Sequence, residues 1–255
     1  MTIKQIFSGL KFANLASIGL LLTRKKSLRI YLHQNKIAYF NEKQIGIPVK
    51  PFYEIFPECI EIDETINLIS EPTTGGLSKT ELYYISTIVK YFQPKQVFEI
   101  GTFDGCASAH IALNIKRPDS LKILTLDLPP DREKHSVNFS DQEMEFLDVI
   151  RPGYYLKKYD KLEVVNQLYG DSLYFDFSLY YGKMDLIFID GNHNQPFIES
   201  DTKNAFLMLN KNGIIIWHDY YGIPGKQVSD YLIKLSNDYT IFRIKDTSFA
   251  VYRRG

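Results

Sequence analysis

Two stretches, DGNHN at 190–194 and WHDY at 217–220, put two carboxylates and two histidines at the ends of the apolar runs MDLIFI and NGIIIW. If those runs are strands that end at one edge of a sheet, Asp190, His193, His218 and Asp219 surround a single mouth. An imidazole whose ordinary pKa is about 6.5 takes a proton from an alcohol at neutral pH when the hydroxyl is also polarised. His193 and His218 are therefore catalytic candidates, with Asp190 and Asp219 beside them. Tyr220 and Tyr221 follow directly and offer rings for stacking on a sugar or an adenosine.

A second group of residues says what such a mouth would act with. The stretch VFEIGTFDGCASA at 97–109 ends a strand-like run in a glycine turn. A dinucleotide site wants G-x-G-x-x-G, whose close glycines admit a pyrophosphate. GTFDG instead has its glycines four apart, and Glu99 just before it would repel a pyrophosphate but hold an ammonium group, directly or through water. Gly101 and Gly105 let the backbone turn sharply and approach a ligand, and Thr102 and Phe103 between them belong to the same binding turn. Asp127 ends the following strand, where an acid accepts both hydroxyls of a ribose. A third strand ends in GDS, so that Gly170, Asp171 and Ser172 meet the amine or ring of an adenine. An ammonium, a ribose and an adenine, taken in order with Asp190 bordering the same pocket, describe S-adenosylmethionine.

These residues need a sheet to align them. From about residue 78, strands QVFEIG, LKILTLD, EVVNQLYG, MDLIFID and NGIIIWHD alternate with helical stretches expected over 104–116, 172–181 and 195–209, the rhythm of a doubly wound parallel sheet. Ser78 caps a preceding helix whose Leu82, Ile85, Ile88 and Val89 share a face, with Pro94 at its exit. The ending YTIFRIKDTSFAVYRR reads as two strands turning at Lys245–Asp246, which makes seven strands, mostly parallel. Residues 1–72 form an N-terminal extension and 73–255 the sheet domain. The link over 128–160 is long enough to be a lid or binding loop, and with Asp131, Arg132, His135 and several aromatics it is assigned to substrate enclosure.

The chain of 255 residues carries 30 basic and 30 acidic side chains. That balance argues against nucleic-acid binding, which needs clustered positive charge, and leaves small molecules or glycans as acceptors. Cys59 and Cys106 read as reduced thiols, hence a cytoplasmic protein. The apolar run ANLASIGLLLT near the start is too short for the roughly 20 residues of a spanning helix. Ile3, Ile6, Phe7, Leu10 and Ala13 recur at helical spacing ahead of a basic RKK. This helix is expected to pack on its own domain or on a second subunit, with peripheral membrane contact as the alternative.

The motifs VFEIGTFDG, LTLDLPP, GDSLYFDF and MDLIFIDGNHN…NGIIIWHDY resemble the class I S-adenosylmethionine-dependent methyltransferases, in the branch of "methyltransferase domain 24" related to catechol and macrocin O-methyltransferases. The resemblance covers about residues 74–255 and implies a Rossmann-like sheet with an antiparallel final hairpin. It implies O-methylation of a sugar, glycan precursor or secondary metabolite, and a base at His193, where the catechol enzymes carry lysine. It also implies a divalent ion, Mg²⁺ or Mn²⁺, at Asp190 and Asp219. His218 replaces the acid of macrocin-type enzymes and Tyr220 the asparagine ligand of the catechol type, so a metal set of Asp190, Asp219 and His218 would suit a softer ion than Mg²⁺. Cephalosporin-hydroxylase-type enzymes share this fold and remain an alternative, as does a non-catalytic scaffold.

Overall fold

A computed structural model describes residues 46–69, 76–116, 122–129, 153–159, 162–220 and 225–254. The sheet unit spans Gln44–Gly255. Its elements are β1 (Val49–Lys50), α1 (Phe52–Ile55), α2 (Lys79–Phe92), β2 (Gln96–Ile100), α3 (Cys106–Leu113), β3 (Lys122–Asp127), α4 (Tyr154–Lys158), β4 (Val165–Tyr169), β5 (Met184–Ile189), α5 (Gln195–Met208), β6 (Leu209–Trp217), α6 (Lys226–Leu235), β7 (Ile241–Ile244) and β8 (Ala250–Arg253). The strand order is β1-β7-β8-β6-β5-β2-β3-β4. All pairs are parallel except β6–β8 and β7–β8, the final hairpin. The seven expected strands are present, and an eighth, β1, is added from residues assigned to the extension. It pairs with β7 through Val49 and Lys50.

Side chains alternate across the sheet, as the pleat requires. Val97, Ile123, Leu186, Phe188, Ile214 and Ile216 pack with α1, α2 and α3, whereas Phe98, Ile100, Leu124, Leu126, Ile187, Ile189, Ile215 and Trp217 pack with α5 and α6. Glu99 has the parity of Val97, and His218 that of Ile216. Both therefore belong to the α2–α3 face.

One expected helix is absent. Over 172–181 only a 3-10 turn forms, at Ser178–Tyr180. Asp171 Oδ1 accepts from Leu173 N at 2.9 Å and Asp176 Oδ1 from Ser178 N at 2.9 Å. These local turns compete with the helical ladder and win. The helix α6, KQVSDYLIKL, had no counterpart in the sequence reading. No helix among the described residues is long and apolar enough to cross a membrane. The expectations for the first 23 residues, Asp131, Arg132, His135 and Tyr221 fall outside the described residues.

Candidate active site

The carboxyl ends of five strands are tied into one line. His218 N donates to Ile189 O, Asp190 N to Ile100 O, Gly101 N to Leu126 O and Gly170 N to Asp127 O, all at 2.8–2.9 Å. This ladder brings Asp190, Gly101, Asp127, Gly170 and His218 to the same edge of the sheet, the edge where open α/β sheets bind ligands.

The glycines turn the backbone sharply, as expected, and also admit the protein's own chain. Gly101 has φ +97°, and a Cβ there would lie 2.2 Å from the Asp190 carbonyl oxygen. Gly105 has φ +78°, and its Cβ would meet Leu156 at 2.8 Å. Both glycines thus admit close approach of the protein's own chain. The end of the long link closes on the same turn, with Gly153 N donating to Phe103 O at 3.1 Å and Tyr155 N to Asp104 O at 3.0 Å.

Glu99 sits beneath the turn. It is buried under α3, where its Oε2 accepts from Ser108 Oγ at 2.5 Å and Thr125 Oγ1 at 2.6 Å. Thr102 and Thr125 share a hydrogen bond of 2.7 Å, and Gln167 Nε2 donates to Thr102 Oγ1 at 2.9 Å. Burial pushes the Glu99 carboxyl up to about 8, against the pull of its two hydroxyl donors. A neutral carboxyl inside a hydroxyl network ties the turn to β3 and β4, and a direct ammonium contact does not follow from this geometry. Sequence reasoning missed Ser108, Thr125 and Gln167, although the alternation along β2 already turns Glu99 toward α3.

Asp127 is half-buried at the mouth. Its Oδ2 accepts from Phe103 N at 2.8 Å and its Oδ1 from Leu128 N at 2.7 Å. A carboxylate oxygen can accept more than one hydrogen bond, so these backbone donors do not by themselves exclude a ribose hydroxyl. Asp171 and Ser172 lie half-buried after β4, in the loop that follows Gly170.

Across the line of strand ends stands a charged cluster. His193 Nε2 lies 3.0 Å from Asp219 Oδ2, without the alignment of a full hydrogen bond. His218 Nδ1 is bonded to Asp190 Oδ1 at 2.9 Å and lies 3.1 Å from Asp219 Oδ2. Asp219 has φ +53°, a left-handed conformation that aspartate tolerates and that marks functional sites. Burial pulls the His193 imidazole down, but the Asp219 and Asp190 carboxylates outweigh it and leave its pKa above the ordinary value. Burial raises the Asp219 carboxyl in turn, yet His218 and His193 hold it well below the usual range.

Asp190, His193 and Asp219 offer three ligand atoms within 4.8 Å of one another, a group that fits a divalent ion. His218, expected among the ligands, lies behind them with its Nδ1 already taken by the two carboxylates. An imidazole with two carboxylates suits Mn²⁺, Fe²⁺ or Zn²⁺ better than Mg²⁺. Tyr220, expected to stack on a ligand, is instead buried in the core, where its hydroxyl accepts from Ile47 N at 3.2 Å.

A sheet ordered with its antiparallel hairpin inserted beside β6, and acids at the ends of β2, β3, β5 and β6, is the fold of the class I S-adenosylmethionine-dependent methyltransferases. Residues 98–220 match a family model described as a methyltransferase domain. No curated protein matches the sequence. Among solved structures, the chain is similar to the O-methyltransferase TomG of Streptomyces achromogenes, in complex with SAM, at 14% identity over 71% of this chain and 82% of that one, with a TM-score of 0.50. It is also similar to an O-methyltransferase of Bacillus cereus in complex with SAH, at 14% identity over 88% and 98% of the two chains and a TM-score of 0.49. A third is the SAH-bound methyltransferase PaMTH1 of Podospora anserina, at 15% identity over 92% and 97%, with a TM-score of 0.48.

Proposed function

We propose that this domain transfers a methyl group from S-adenosylmethionine to a hydroxyl of a small molecule, such as a sugar, a glycan precursor or a secondary metabolite. The observation that carries the reading is the placement of Asp127 and the Asp190–His193–Asp219 cluster at one sheet edge, on either side of the glycine turn. Asp127 is suited to the ribose hydroxyls, and Asp171 and Ser172 to the adenine. The acceptor then lies between the sulfonium and His193.

The acceptor oxygen attacks the sulfonium methyl as the carbon–sulfur bond breaks, and the electron pair stays on sulfur as S-adenosylhomocysteine. The hydroxyl proton passes to His193. With Nε2 directed at Asp219, the base nitrogen is Nδ1, and Asp219 stabilises the imidazolium that forms. Holding donor and acceptor in line is the larger contribution, because it converts a two-body encounter into a positioned step.

A second reading is favoured by the close grouping of the three ligand atoms. A divalent ion held by Asp190, His193 and Asp219 would polarise the acceptor hydroxyl, and His193 would then be a ligand and not the base. The two separate in one experiment: transfer of labelled methyl from S-adenosylmethionine to a panel of hydroxyl acceptors, with and without a chelator. Activity that survives chelation supports the base; activity lost and restored by Mn²⁺ supports the ion; no transfer to any hydroxyl refutes both.

A further inference from the structure

A fourth carboxylate stands behind the cluster, on an element that the sequence suggests is merely capped. Glu81 lies in the first turn of α2, three residues after Ser78. Ser78 N donates to Glu81 Oε2 at 2.8 Å and Glu81 N to Ser78 Oγ at 3.3 Å, a reciprocal capping box. Caps of this kind need no burial, yet Glu81 is fully buried, and glutamate is almost never so without compensation.

The compensation comes from the mouth. Glu81 Oε1 accepts from both the amide and the hydroxyl of Ser248, each at 2.7 Å. Its Oε2 lies 3.6 Å from His218 Nε2, at ion-pair range. The opposite ring nitrogen is the one that meets Asp190 and Asp219, and Phe188 and Phe249 wall the ring, the latter edge-on at 5.8 Å. Ser248 O also accepts from Tyr220 N at 2.9 Å, so the residue that Glu81 grips fixes the backbone directly after Asp219.

We propose that Glu81 is a positioning residue for this mouth: with one oxygen on Ser248 and the other toward His218 Nε2, it fixes the imidazole so that Nδ1 faces Asp190 and Asp219. The Asp219 carboxylate is thereby held where His193 meets it. The inference rests on the proposed function only for what the mouth does; the geometry it concerns is measurable without turnover.

The test uses the full chain labelled with ¹⁵N-histidine and saturated with S-adenosylhomocysteine, the His218 ring signals being assigned by their loss in His218→Asn. The unsubstituted protein should show one slowly exchanging, hydrogen-bonded Nδ1 proton for His218. Glu81→Gln should remove or broaden that signal while S-adenosylhomocysteine affinity changes by no more than a few-fold. Ser78→Ala, which breaks the cap but keeps the Glu81 carboxylate, should lower the melting temperature and leave the His218 signals in place. Should Glu81→Gln not fold, Ser248→Ala, which removes one of the two donors to Glu81 Oε1, should shift the same signals in the same sense. Unchanged His218 signals in the Glu81 or Ser248 variant, or an equal disturbance by Ser78→Ala, would overturn the inference and leave Glu81 a cap. Failure of the unsubstituted protein to bind S-adenosylhomocysteine would strike the proposed function instead, and the ring signals would then be read on the ligand-free protein.

Discussion

The two halves of the mouth share one sheet edge but are held by opposite means. At the ends of β2, β3 and β4, hydroxyls and backbone amides converge on Glu99 and Asp127, and the turn is fixed by close contacts of chain against chain at Gly101 and Gly105. At the ends of β5 and β6, two imidazoles and two carboxylates hold one another, with Glu81 behind them. The difference matches the work assigned to each half. A cofactor site must keep its shape from one turnover to the next, whereas an acceptor site must also move a proton, which requires groups whose charge can change.

The largest effect is expected in the charged half. His193→Ala should lower turnover by about 10²–10⁴, the range for a positioned acid or base, while cofactor affinity stays within a few-fold. Single-turnover assays beside calorimetry separate the two quantities, and an equal loss in both would erase the division between the halves.

In the half around the glycine turn the expected damage is to folding. Gly101→Ala places a Cβ against the Asp190 carbonyl at a left-handed φ, and neither backbone can yield cheaply. A loss on the order of 3 kcal/mol is expected in denaturant titrations. Gly105→Ala should cost less, because its nearest obstacle is the Leu156 side chain and not a backbone carbonyl.

Acidity divides the halves again. Because His193 stands above its ordinary pKa through its carboxylate partners, turnover should rise with pH along a limb centred above about 6.5. Asp219→Asn should move that midpoint down. An unmoved midpoint would take His193 out of the rate-limiting protonation.

The last effect is on the pH dependence of stability and concerns Glu99. Its carboxyl is held near 8 in the folded protein and returns to 4.5 on unfolding. The folded state then holds a proton that the unfolded state releases. Stability should therefore fall as pH rises between those two values, and the loss should be complete above the upper one. Glu99→Gln should flatten this slope, with little effect at pH 5 and a gain at pH 8.5, read from thermal melts at each pH.

Much of this was legible in the sequence. Apolar runs ending in Asp127, Asp190 and Asp219 pointed to the strands and the mouth, because a short continuous apolar run and a terminal acid are local signals. The capping serine placed α2 for the same reason. Glu81 was hidden because its partners, His218 and Ser248, lie far away in the chain, and pairing across that distance leaves no periodic trace. Only parity hinted at it, since His218 shares the face of Ile214 and Ile216 on which α2 packs. The helix expected at 172–181 is overridden by two aspartate turns, whose side chains bond the nearby backbone. The edge strand Val49–Lys50 is too short to carry any pattern.

The measurement that bears most directly on this account is calorimetric titration of the full chain with S-adenosylmethionine, beside NAD and beside the Asp127→Ala variant. Micromolar binding of S-adenosylmethionine, no binding of NAD, and a loss of roughly tenfold or more in the variant are predicted, since a hydrogen bond to a charged group contributes about 1.5–3 kcal/mol. Absence of S-adenosylmethionine binding, or equal affinity with and without the Asp127 carboxylate, would contradict it.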